Sequence, residues 1–118
     1  MDAANYFRGH SLALALQQKV ATTISRIGLA QTKVSKSQVG FNREHPFAAT
    51  WRASQYLGRE QAPLVLSIDL RRRDTSPRWK EVVEPSPGHF THHLELHSLA
   101  EVDDFVRARL TEAWEQAA

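Results

Sequence analysis

Between residues 39 and 97 the apolar side chains return at every second position, and such a chain can bury them only by forming a sheet with one apolar face. Leu64, Leu66, Ile68 and Leu70 alternate with Val65, Ser67, Asp69 and Arg71. Phe90, His92, Leu94 and Leu96 alternate in the same way with Thr91, His93, Glu95 and His97. Phe47, Ala49 and Trp51 alternate with Ala48, Thr50 and Arg52, which reads Trp51 as a core residue. Val39 and Phe41 indicate a further strand before the break at His45–Pro46, and Arg78–Val83 reads as loop or edge strand. Proline marks the other boundaries at Ala62–Pro63 and Ser76–Pro77, and Glu84–Pro85–Ser86–Pro87–Gly88 reads as a loop.

On both sides of this region the period becomes helical. Leu12, Leu16, Val20, Ile24 and Ile27 form one stripe, with Ser11 as the expected cap and Gly28 where a left-handed C-cap is wanted. Ser98 stands three residues before Glu101, the capping-box spacing, and Asp103 and Asp104 favour the start of a helix by charge. Val102, Phe105, Val106, Leu110, Ala113 and Trp114 give that helix its buried face. The expected fold is therefore α+β in two layers, with an antiparallel sheet of four to five strands flanked by an N-terminal and a C-terminal helix. The 118 residues are expected to form one domain: an arm over 1–10, a helix over 11–27, the sheet region over 32–97 and a helix over 99–115.

Composition removes several kinds of chemistry. There is no cysteine, which excludes thiolate-ligated zinc, iron–sulfur clusters, a disulfide scaffold and a cysteine nucleophile. The five glycines are too widely spaced for a dinucleotide fingerprint or a phosphate-cradling loop, and no serine sits in a nucleophile elbow. No apolar run is long enough to span a membrane and no leader pattern opens the chain, so the expectation is a cytoplasmic protein with no membrane partner.

The net charge of +2 conceals a polarity. Residues 33–80 carry ten basic and four acidic side chains, whereas residues 81–118 carry two basic and eight acidic ones. One reading makes the middle segment an anion-binding surface, grouping Lys36, Arg43, Arg71 and Arg78 with Arg52. The other lets the two segments neutralise each other inside the fold. Tyr56 and Trp79 lie among these charges, as aromatics do in proteins that stack single-stranded bases, so nucleic acid is a further possible partner.

Four of the six histidines fall in His89–His97. In a strand His93 and His97 stand about 13 Å apart, too far to share a metal ion. His93 with Glu95 would supply only two ligands. His92 shares the apolar face and reads as a hydrogen-bonded core residue, with general-base chemistry as the alternative.

The segments Val34–Phe41, Phe47–Trp51, Ser76–Val83 and Phe90–Leu96, followed by Glu101-Val-Asp-Asp104, together resemble a bacterial family, the domain of unknown function 5655. The likeness covers about residues 10–115. It implies a helix–sheet–helix fold and transfers no catalytic set. The leading expectation is a non-enzymatic binding or accessory module for an anionic ligand or an acidic partner, with no cofactor, and with Lys36, Arg43, Arg71, Arg78 and His92 as ligand-binding residues. The alternatives are an enzyme or metal-dependent site around His92, His93 and Glu95, and a homodimerisation or fusion-partner domain.

Overall fold

A computed structural model describes residues 2–53 and 62–118. Tyr56 lies outside the described residues. A short helix, α1 (Ala3–Tyr6), is capped by Asp2, whose Oδ1 accepts the Asn5 amide at 2.8 Å. It precedes α2 (Ser11–Ile27). Six strands follow: β1 (Gln31–Val34), β2 (Val39–Asn42), β3 (Pro46–Trp51), β4 (Leu64–Leu70), β5 (Glu81–Ser86) and β6 (His89–Leu96). A 3-10 turn at Leu99–Glu101 leads into α3 (Asp104–Gln116). The strands form one antiparallel sheet in the order β1-β2-β3-β4-β6-β5.

The α+β architecture with terminal helices is as expected, but the sheet has six strands, not four to five. The strand beyond that count is the edge β1, and the other edge, β5, overlaps the possible edge strand within Arg78–Val83. β1 has no apolar alternation because three of its four residues are exposed. β5 runs through Pro85 to Ser86, which the sequence reading assigned to a loop. An edge strand tolerates proline because one row of its amides faces away from the ladder.

Both long helices cover the same sheet face. Leu16, Val20 and Ile24 of α2, with Val106, Leu110 and Ala113 of α3, are buried in one cluster with Val39, Phe41, Leu64, Leu66, Ile68, Leu70, Leu94 and Leu96. Leu12, expected in the α2 stripe, is 45% exposed; the buried stripe starts at Ala13 and includes Gln17. Gln17 reaches across to the buried hydroxyl of Thr50.

Thr50 marks a change of face in β3. Phe41 pairs with Ala48 but Asn42 pairs with Pro46, so Phe47 is an extra residue in a β-bulge. Phe47 and Ala48 are both buried in the core cluster. Thr50 then faces the helices, while Ala49 and Trp51 lie on the opposite side. The expectation that Trp51 is core is thus corrected. Alternation cannot reveal an inserted residue.

Two terminal signals also act differently than expected. Gly28 is extended, with φ 177°, and no left-handed cap forms. Its missing side chain instead admits the Trp114 ring: a Cβ at Gly28 would stand 2.3 Å from Trp114 Cζ2. The Ser98–Glu101 box is formed, but it caps the 3-10 turn. Asp103 caps α3, accepting the Val106 amide at 3.2 Å.

The chain leaves β4 and passes over β6 to reach β5, so residues 71–80 cross the helix-covered side. Asp74 and Trp79 are buried within this crossover. Among the described residues, no helix is long and apolar enough to cross a membrane.

Candidate functional site

The basic middle segment is largely engaged with the acidic C-terminal one. Arg72 makes a two-point contact with Glu112, at 2.9 Å for each bond, and reaches Asp74 at 2.9 Å. Arg109 approaches the other Asp74 oxygen at 3.3 Å, and Trp79 Nε1 donates to that same oxygen at 2.7 Å. Burial alone would raise the Asp74 carboxyl, but the hydrogen bonds from Trp79, Arg109 and Arg72 outweigh it and hold the pKa at about 2.

The structure does not bring the five sequence-derived site residues together. Arg78 donates to both Asp103 oxygens at 3.0 Å and lies 4.8 Å from the centre of the Phe105 ring. Arg71 holds the end of α3, donating to Gln116 Oε1 and to the Gln116 carbonyl at 3.0 Å each. Arg43 lies 3.5 Å above the Trp114 ring and donates to the Trp114 carbonyl. Lys36 is exposed in the turn between β1 and β2. His92 is fully buried beneath the crossover, where its Nε2 accepts the Asp74 amide at 2.9 Å. Its Nδ1 lies 3.1 Å from the Phe90 carbonyl, so the neutral ring carries its proton on Nδ1. Burial pushes the His92 pKa below the usual histidine value.

Trp79, considered above as a stacking aromatic, is interior and packs against His92 and Phe105. His93 and Glu95 face away from His92, because neighbours on a strand point to opposite sides. Among the described residues, no group of three histidine, aspartate or glutamate side chains converges as a metal site.

The sheet face away from the helices contains a cleft of about 900 Å³. That is within the size of small-molecule sites, roughly 300–1,000 Å³. The pairing registers place one row of residues across the whole sheet: Lys33, Gly40, Ala49, Ser67, His93 and Glu81. Gly40 and Ala49 make a low floor. Lys33 stands at one end and Glu81 at the other, with a polar chain just inside Glu81. Trp51 Nε1 donates to Ser67 Oγ at 3.0 Å, and Ser67 Oγ lies 2.7 Å from His93 Nδ1. Alongside, Thr91 donates to Asp69 Oδ1 at 2.9 Å.

Burial is the main influence on both titrating groups here. It raises the Asp69 pKa, an effect opposed by the Thr91 hydrogen bond, and it lowers the His93 pKa. Ser35 and Ser37, on either side of Lys36, also line the cleft. None of the five sequence-derived residues lines the cleft, although Lys36 is flanked by two that do.

Sequence reading identified the wet face and its His93, but not the cleft. Trp51 was assigned to the wrong face, and Lys33 lies in a strand with no periodic signal. The Gly40–Ala49 floor becomes visible only once strand register is known.

A family model described as Domain of unknown function (DUF5655) matches residues 3–117. No curated protein and no solved structure matches the chain.

Proposed function

The chain belongs to the DUF5655 family, and on that footing we propose that it is a binding module whose open sheet face takes a small anionic ligand. The observation that carries this reading is the cross-sheet row, with a lysine at one end, a floor of glycine and alanine, and a hydrogen-bonding tryptophan–serine–histidine chain that ends beside Glu81 at the far edge. Lys33 is exposed and pairs with no carboxylate among the described residues. Arg43, Arg71, Arg78 and His92 serve the fold in this reading, because each already has a partner in it.

An enzymatic role on the same face is less favoured. Ser67 and His93 are within hydrogen-bond reach, but the backbone amides around them are used by the sheet ladder and leave no donors for a developing oxyanion.

The test is an amide chemical-shift titration of the whole chain with sugar phosphates and nucleotides. Shifts are expected to cluster at Gly40, Ala49, Ser67 and His93. Ala49→Arg, which fills the floor from the solvent side, should abolish them with the melting temperature retained. Binding that survives Ala49→Arg, or shifts confined to the helices, would overturn the reading.

A further inference from the structure

Resting on the open-face reading, we infer that the ligand is a nucleoside monophosphate, its base edge read by Asp69 and His93 and its phosphate lying toward Lys33. An indole N–H can only donate, so Trp51 uses Ser67 Oγ as an acceptor. We assign the proton of the 2.7 Å bond between Ser67 Oγ and His93 Nδ1 to Ser67, whose hydroxyl then accepts from Trp51 and donates onward. A neutral His93 therefore carries its proton on Nε2, and this N–H is the donor left for a ligand.

On the neighbouring strand Thr91 takes Asp69 Oδ1, which leaves Oδ2 as an acceptor. Asp69 pairs with Thr91, and His93 follows two residues later on the same face, so the two groups are diagonal neighbours. Such neighbours stand roughly 7–8 Å apart at the backbone. Both line the cleft, where Asp69 is the one lining carboxylate among the described residues, and Glu81 pairs with His93 at the sheet edge.

One donor beside one acceptor fits a ligand edge that presents an acceptor and a donor side by side. A trans peptide bond cannot do so, since its N–H and C=O point in opposite directions. A ring with an amide or amidine edge can, and every nucleobase carries one. The Gly40–Ala49 floor leaves room for a flat ring. Lys33 is four strand spacings from His93, about 19 Å at the backbone, so the extended lysine meets a phosphate attached through a sugar.

The experiment compares wild-type affinity, by calorimetry, for the four common nucleoside 5′-monophosphates, for ribose 5-phosphate and for inorganic phosphate. At least one monophosphate is expected to bind ten times more tightly than ribose 5-phosphate. Asp69→Ala should remove that advantage and leave ribose 5-phosphate binding unchanged. Equal affinity for ribose 5-phosphate and all four monophosphates would overturn base recognition while leaving the anion reading standing. No heat and no open-face shift with any of the six compounds would overturn both.

Discussion

Asp74 shows how a single buried carboxylate can organise a crossover. It accepts from Arg72 and Trp79, forms an ion pair with Arg109, and its backbone amide ties the loop to His92. Removing it would leave the Arg109 guanidinium and the Trp79 indole N–H without their carboxylate, while the half-exposed Arg72 keeps Glu112, so Asp74→Ala is expected to cost about 3 kcal/mol in urea denaturation. A loss below ~1 kcal/mol would contradict the network. The pH dependence has a definite sign. His92 and His93 both have pKa values lowered from 6.5 by burial, so the folded state resists their protonation. Stability is complete above the unfolded value and declines as pH falls through 6.5. The Asp74 contribution is present above 3.8 and is lost as pH falls toward about 2. Asp69, with its raised pKa, acts in the opposite direction in acid. The melting temperature should therefore drop between pH 7.5 and pH 5.5, and His92→Gln should flatten that drop. A melting temperature that rises over this interval would contradict the buried neutral histidines. His92 was legible from the sequence, because it occupies an apolar register. Its partner, the Asp74 amide, was not, since nothing local signals which strand a loop will cross.

At the scale of elements, the sequence reading succeeded where periodicity is strong and failed where one residue changes the count. β4, β6 and both long helices follow from their stripes. β3 does not, because the bulge at Phe47 moves Thr50 to the core and Trp51 to the open face. Gly28 illustrates a second limit. Its position after the last helical turn suggests a cap, yet its use is close approach by Trp114, a residue 86 positions away in the chain. Trp114 Nε1 also donates to the Leu29 carbonyl at 2.9 Å, which fixes the end of α3 against the exit from α2. Gly28→Ala should therefore destabilise the fold by about 1–3 kcal/mol through overpacking. Trp114→Phe combined with Gly28→Ala should recover part of that loss. A neutral Gly28→Ala in thermal unfolding would show that the ring has another place to go.

Across the whole molecule, charge asymmetry along the chain becomes neutralisation within the fold. The acidic C-terminal helix and the turn before it receive Arg71, Arg72 and Arg78, the helix's own Arg109 meets Asp74 of the crossover, and the sheet face opposite retains Lys33. Linear sequence showed both charged segments but could not show that they meet, because their contact depends on β6 inserting between β4 and β5. The central claim is that these cations divide into those that hold the fold and those that meet a ligand. The direct measurement is a paired comparison of Arg78→Ala and Lys33→Ala, with melting temperature and nucleoside-monophosphate affinity read on each. Arg78→Ala should lower the melting temperature by several degrees and leave affinity unchanged, while Lys33→Ala should do the reverse. The account is contradicted if Arg78→Ala weakens binding in a protein that melts like wild type, or if Lys33→Ala binds as wild type does.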